Sequence, residues 1–356
     1  MIDFLIIGGG IAGVSAAARL SALGSVTLLE GEDALSYHTS GRSAAMFEQN
    51  YGKPSTIDLN KASRAFHEGA GILSPRGLML LGSTDKAAEF AADQKQMQLD
   101  AISMSDAKSM VPILDEATVD RAAYHSAAWD MDTDKLMQTF VRMARQNGAT
   151  VSTKLHVKAI TKTDAGWGVH AGDQVFEARN LVNAAGAWVD EIATMAGIIP
   201  LGFTPLRRSM ARIPAPGGHD VSNWPMMFGP GEEWYAKADA GALIVSPAEE
   251  DPTTPHDAFA DDMVLAEGLA RYEANVTEPV TRLLSSWAGL RTFSRDRTLV
   301  LGPDVGEPSF IWCAGQGGYG MQSSPAASQL LADLVSGTAS ELPTDTIAAL
   351  SPKRFT

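Results

Sequence analysis

Gly8, Gly10 and Gly13 stand in the order GxGxxG directly after the apolar run DFLII, and the helix-forming stretch VSAAARL follows them. Glu30 closes the next apolar run, SVTLLE. Residues of these types at this spacing bind a dinucleotide. Gly8 permits a tight turn, Gly10 lets a pyrophosphate come close to the backbone, and Gly13 lets the helix pack on the strand. The helix N-terminus turns unpaired amides and partial positive charge toward the phosphates. Glu30, about twenty residues on, is placed to accept hydrogen bonds from ribose hydroxyls, and its charge disfavours a 2′-phosphate. FAD and NAD both satisfy this first unit, and NADP does not.

Three further small-residue segments choose between them. The stretch ARNLVNAAGAW, residues 178–188, runs an apolar strand into Ala184, Ala185 and Gly186, where backbone can pass close to a diphosphate. GQGGYGMQSS, residues 315–324, sets Gly317, Gly318 and Gly320 before a helix, so that its amides can face a flavin ring. The third is YHTSGRSAAMFEQNYG, residues 37–52. Together they suit an extended, deeply buried cofactor and select FAD. The seven histidines show no metal-ligand spacing, and the single Cys313 excludes a cysteine zinc cluster and an internal disulfide. No metal is expected. Cys313 precedes the last glycine-rich loop, but a buried structural cysteine fits it better than a flavin attachment point, so the FAD is expected to be non-covalent.

The elements that must position these residues follow from local pattern. A βαβ unit opens the chain, with its helix expected to end at Gly24. LMLLG, from Leu78, reads as a strand, and SDAKSMVPIL as a helix and its exit. TDKLMQTFVRMARQ is an amphipathic helix stopped by Asn147-Gly148, and residues 156–188 alternate strands with glycine turns as a meander. Residues 201–293 carry short apolar runs with Pro and Trp, the pattern of an antiparallel sheet covered by the helix of AFADDMVLAEGLARYEANV. The predicted fold is α/β: a Rossmann-like FAD-binding domain of residues 1–76, 134–200 and 294–356, interleaved with a substrate domain of 77–133 and 201–293 built on that antiparallel sheet. A net charge of −14 argues against nucleic-acid and anionic-membrane partners, which need a basic face. MIDFLIIGGG has no basic leader region, and no apolar run is long enough to span a bilayer. The expected location is cytoplasmic.

The ordered set GGGIAG…LLE, GRSAA, LVNAAGAW, WAGLR and AGQGGYG resembles the D-amino-acid-oxidase-type superfamily of FAD enzymes, which includes glycine and sarcosine oxidases. The further matches SPR, LRRS, NWPM and QGGYGMQ resemble its bacterial D-arginine dehydrogenase subgroup most closely, along nearly the whole chain. The resemblance implies that Ser40, Gly41, Arg42, Ser43, Ala44 and Ala45 lie along the flavin. It also gives cofactor contacts to Ile11, Ala12, Val157, Trp188, Tyr319, Met321 and Gln322, the last equally readable as a helix cap.

Flavin oxidation of an amino acid needs a carboxylate clamp and a Cα–H aimed at the cofactor, which itself takes the hydride. Arg291 in WAGLR is the first candidate for the clamp, because a planar guanidinium matches a carboxylate; a domain-bridging salt bridge is its other reading. The resemblance adds Arg208, the hydroxyls of Tyr51 and Tyr235, and the Gly318 carbonyl for the substrate amine, while either tyrosine also reads as core. Met226 and Phe228 are expected in the side-chain pocket or in the core. The subgroup has an acid where this chain has Leu78, and a loop histidine where it has Met46. An apolar pocket of Met46, Leu78, Met226 and Phe228 penalises a buried cation. Glu48 could restore an acid, although a solvated loop glutamate is the plainer reading. The expected activity is therefore oxidative deamination of a D-amino acid, preferring neutral or apolar side chains. A secondary-amine or 2-hydroxy-acid oxidoreductase and a flavin subunit of an electron-transfer complex are the alternatives, and either oxygen or a quinone could reoxidise the flavin.

Overall fold

In the computed structural model, which describes residues 1–355, β1 (Ile2–Ile7), α1 (Ile11–Leu20) and β2 (Val26–Leu29) form the expected βαβ unit. β1 and β2 pair in parallel from Phe4–Val26 to Ile7–Leu29. A parallel strand covered on both faces is apolar throughout, and Leu5, Ile6 and Leu28 are fully buried. Ala16, Ala17 and Ala18 of α1 are also buried, and their short side chains let the helices Thr133–Gln146 and Gly320–Ser336 pack closely on α1. α1 stops at Leu20, before Gly24; a turn from Leu23 N–H to the Leu20 carbonyl at 2.8 Å closes it.

The strand Gln174–Asn183 lies beside β1 in parallel, and Phe310–Ala314 lies parallel beyond its C-terminal half. Thr150–Ser152 extends the sheet past β2. The predicted meander is present: Val157–Thr163, Gly166–Ala171 and Gln174–Asn183 pair antiparallel, and the sheet has eight strands. A second sheet has nine strands. Its longest ladder runs from Thr204–Phe293 to Arg212–Ser285, setting Arg208 opposite Gly289 and Leu206 opposite Arg291. It is antiparallel except at one junction, where Met226–Phe228 runs parallel to Leu78–Gly82. A third sheet of Met46–Phe47, Leu73–Pro75 and Trp129–Met131 has no counterpart in the sequence reading. Its strands are only two or three residues long, too short to show alternation.

The helix Pro54–Gly69 is also absent from the sequence reading, because its buried face is partly polar: Asn60, Ser63 and His67 are all inaccessible to solvent. His67 Nε2 donates to the Gln322 carbonyl at 2.9 Å, tying this helix to Gly320–Ser336. Burial pushes the imidazole pKa down to about 4, against a partial opposing effect of that hydrogen bond. The unfolded chain takes up a proton at His67 near pH 6.5 and the folded chain only near pH 4. Between those values the unfolded state binds more protons, so stability drops as pH falls. At about 1.4 kcal/mol per unit the loss approaches roughly 3 kcal/mol by pH ~4 and is absent above ~6.5. Thermal unfolding of His67→Gln, which keeps a donor for the Gln322 carbonyl, should depend less on pH across this window than wild type. Parallel pH profiles would place the titration on another group.

Candidate active site

A cleft in three connected lobes of about 300, 120 and 100 Å³ runs from the ends of β1 and β2 to the second sheet. In the first lobe Gly8 has φ +109°, and a Cβ there would stand 2.4 Å from the Ala184 carbonyl oxygen. A Cβ at Gly13 would fall 1.8 Å from the Gly8 carbonyl oxygen, so this glycine serves packing and does not line the cleft. Glu30 accepts from Gly9 N–H at 2.6 Å and Glu32 N–H at 2.9 Å, which fixes its carboxylate on the lobe wall with lone pairs left for a diol. Val157, Ala185, Gly186 and Trp188 complete that wall.

The middle lobe is lined by Gly10, Ile11, Ala12, Ser40, Ser43, Ala44 and Ala184 together with Gly317, Gly318, Gly320 and Met321. Ser40 Oγ accepts from Ile11 N–H at 2.9 Å, so one amide of the α1 N-terminus is already capped by the loop. Two expected contacts are absent from the walls. A Cβ at Gly41 would lie 2.3 Å from the Ser36 carbonyl oxygen, and Tyr319 is buried against the rings of Tyr51 and Phe293. Arg42 lines the lobe, but its guanidinium is spent on protein: Asp257 at 2.5 Å and the carbonyls of Ala258, Ala288 and Tyr37 at 2.8, 2.9 and 3.2 Å. It staples the loop to neighbouring segments and does not offer charge to a ligand. A long cleft, walled where side chains would collide and closed at one end by a carboxylate, fits an extended dinucleotide such as FAD.

The third lobe brings Met46, Leu78, Met226 and Phe228 together with Ala45, Tyr51, Tyr235, Arg291, Gly318 and Gln322. The parallel register puts Leu78 beside Met226. Arg291 Nη1 lies 3.5 Å from Tyr51 Oη, and a Cβ on Gly318 would come within 2.8 Å of it, so only glycine lets the guanidinium lie on this loop. Burial works against the Arg291 charge, yet the oxygens of Tyr51, Tyr235 and Glu232 outweigh it and hold the group protonated. Tyr51 Oη donates to Glu232 at 3.0 Å, and burial, then the Glu232 charge, raises its pKa above the usual tyrosine range. The Tyr235 hydroxyl has only the Met210 sulfur, at 3.4 Å, and keeps bonding capacity for a ligand.

Arg208 stands apart from the tyrosines. It lines the middle lobe with Arg291, donates from Nε to the Glu249 carbonyl at 2.9 Å and pairs with Glu250 at 3.3 Å, while its Nη1 is buried without a partner. Glu48 is not a solvated loop residue. It is 5% exposed, accepts from Asn50 N–H at 2.9 Å and lies 3.1 Å from His125 Nε2, without good hydrogen-bond alignment. Gln322 is no helix cap: its Oε1 accepts from Glu48 N–H at 3.1 Å. Glu232 and Met97 also line the lobe and were missed by the sequence reading. Glu232 sits in the turn Pro230–Glu232 with φ +54°, and an acid after Pro-Gly shortly before a strand was the one available signal.

Cys313 lies on Phe310–Ala314 at 2% exposure, with its Sγ 3.6 Å from the Ala12 carbonyl, and burial pushes its thiol up to about 12. A thiol so buried is a poor nucleophile. Denaturation should therefore release all flavin and leave a chain of unmodified mass by mass spectrometry; flavin retained on the polypeptide would overturn this.

The family model for FAD dependent oxidoreductases, DAO, matches residues 3–334. The chain is 24% identical over 358 residues to glycine oxidase of Pseudomonas putida, covering 94% of each. Against glycerol 3-phosphate dehydrogenase of Caloramator mitchellensis it is 24% identical over 364 residues, covering 96% of this chain and 75% of the relative. The solved L-proline dehydrogenase from P. horikoshii shares the fold with a TM-score of 0.84 at 22% identity, over 99% of this chain and 97% of that one. Among the described residues no helix is long and apolar enough to cross a membrane. The cleft and the family match agree on its occupant, and the chain belongs to the DAO family of FAD-dependent oxidoreductases.

Proposed function

We propose that the protein oxidises a D-amino acid with a neutral or apolar side chain to the imino acid, which water then converts to a 2-oxo acid and ammonia. Bound FAD supplies the acceptor for the hydride leaving Cα. The observation that carries this reading is Arg291, held protonated on the Gly318 backbone with the hydroxyls of Tyr51 and Tyr235 sharing its lobe. Its guanidinium fork suits a substrate carboxylate, and clamping that group orients Cα. The relatives named for glycine and L-proline support an amino-acid substrate. The D series rests on the likeness to D-arginine dehydrogenases at Tyr51, Arg208, Tyr235 and Arg291. Neutral side chains suit Met46, Leu78, Met97, Met226 and Phe228, since Glu48 has His125 beside it and Glu232 has Tyr51.

Anaerobic mixing of the FAD-loaded protein with D- and L-amino acids tests the proposal. Rapid bleaching of the flavin by neutral D-amino acids is the expected result. Bleaching by N-methyl amino acids or 2-hydroxy acids alone would move the protein to another substrate class, and no bleaching by any would favour an electron-transfer subunit.

A further inference from the structure

Three charged side chains stand behind the substrate lobe, and none of them lines it. Arg76, Asp130 and Lys237 have side chains only 12, 20 and 8% exposed. Lys237 Nζ donates to Asp130 Oδ1 at 2.9 Å and reaches the Ala45 carbonyl at 3.4 Å. Arg76 donates to Asp130 Oδ2 from Nε at 2.8 Å and from one Nη, while its other Nη donates to the carbonyls of Ser222 at 2.7 Å and Trp224 at 2.9 Å.

Each partner leads into a different wall of the lobe. Arg76 lies two residues before Leu78, and Trp224 lies two residues before Met226. Lys237 follows Tyr235 by two on the strand Tyr235–Asp239, and so shares its face. Ala45 precedes Met46, and Asp130 is the register partner of Met46 in the small sheet. One carboxylate thus joins four wall segments. Ala45 has φ +57°, a left-handed conformation that a non-glycine residue keeps only where its surroundings over-determine it. Its carbonyl is fixed by Met131 N–H at 2.9 Å as well as by Lys237. A buried ion cluster contributes little net stability, because desolvation cancels most of the attraction; fixing one geometry is a better use for it.

We propose that Arg76, Asp130 and Lys237 form a positioning cluster for the substrate lobe, in which Lys237 sets the Ala45–Met46 backbone relative to Tyr235. Lys237 then governs how tightly the substrate is held without touching it. The inference rests on the reading of this lobe as the amino-acid site.

The test uses the full-length, FAD-loaded protein. In Lys237→Met, KM for the best amino acid of the panel should rise roughly tenfold while the limiting rate of flavin reduction changes by less than about twofold. By mass spectrometry, amide exchange in 44–46 and 129–131 should accelerate, with Thr133–Gln146 unchanged. Asp130→Asn should reproduce both effects, and the double variant should be no worse than the worse single one, since both break one coupling. Lys237→Gln, which keeps a donor for the Ala45 carbonyl, decides by the same measurements if the methionine variant does not fold. Unchanged exchange in these segments, an unchanged KM in folded variants, or additive losses that track melting temperature would overturn the proposal. If no amino acid reduces the wild-type flavin, the reading of the lobe fails, and the exchange measurement still decides the cluster.

Discussion

Arg291→Lys should leave a folded, FAD-loaded protein whose flavin is reduced by amino acids at least tenfold to a hundredfold less efficiently. Arg291 pairs with Leu206 inside the ladder with Thr204–Pro214, so the backbone that carries the side chain is anchored independently of its charge. Lysine keeps the charge and loses the planar fork that can hold both carboxylate oxygens. A charge-assisted hydrogen bond contributes roughly 1.5–3 kcal/mol, which corresponds to a loss of about ten- to a hundredfold in kcat/KM. Misaiming of Cα adds to this, because a shorter, single-point contact lets the substrate pivot. The Tyr51 hydroxyl would also lose the Arg291 neighbour at 3.5 Å and keep only its bond to Glu232. Stopped-flow reduction and a melting curve separate the cases. An unchanged reduction rate and substrate affinity in a well-folded variant would make Arg291 structural; a collapse of melting temperature with FAD loss would do the same.

The cofactor half of this site was legible in the sequence because its requirements are local. Gly8, Gly10 and Gly13 stand close together in the chain, and two of them are required by nearby backbone, Gly13 by Gly8 and Gly8 by Ala184 at the end of the neighbouring strand. Strand and helix patterns flank them directly. The third lobe depends on pairings that leave little local mark. Met226–Phe228 is three residues long, and nothing in MMF announces that it runs parallel to Leu78–Gly82 when its other partner, Tyr235–Asp239, is antiparallel. Glu232 meets Tyr51 across 181 residues of chain, a contact that periodicity cannot reveal.

Side-chain direction was the other hidden quantity. The sequence places Arg42 in the loop of residues 37–52, and the residue lines the middle lobe, but the guanidinium turns to Asp257 and two distant carbonyls. Glu48 reads as solvated because glutamate in a polar loop usually is. Its burial follows from His125, which the pairing of Leu78 with His125 brings under the loop. The same cause hides the Pro54–Gly69 helix, whose buried Ser63 and His67 face partners far away in the chain, the Ser323 and Gln322 carbonyls.

Leu78→Glu should turn substrate preference from neutral toward cationic side chains. Leu78 is 4% exposed and lines the third lobe, with Met226 beside it on one strand and His125 on the other. A carboxylate at this position enters a low-dielectric wall already holding Glu48, so it is destabilised until a cation arrives. His125 already faces Glu48, so the added charge is left for a guanidinium in the lobe to offset. Two effects therefore move the ratio the same way: D-arginine gains a charge-assisted contact, and D-leucine must bind beside an uncompensated acid. With the contact contributing roughly 1.5–3 kcal/mol, kcat/KM for D-arginine relative to D-leucine should rise about ten- to a hundredfold. Wild type should favour D-leucine, since Glu48 already has His125 Nε2 at 3.1 Å and Glu232 already accepts from Tyr51. Steady-state kinetics with both substrates on both proteins gives the ratio directly. A wild type that already prefers D-arginine would mean that Glu48 does the work of the acid, and a folded Leu78→Glu variant with an unchanged ratio would place residue 78 outside the reach of the substrate.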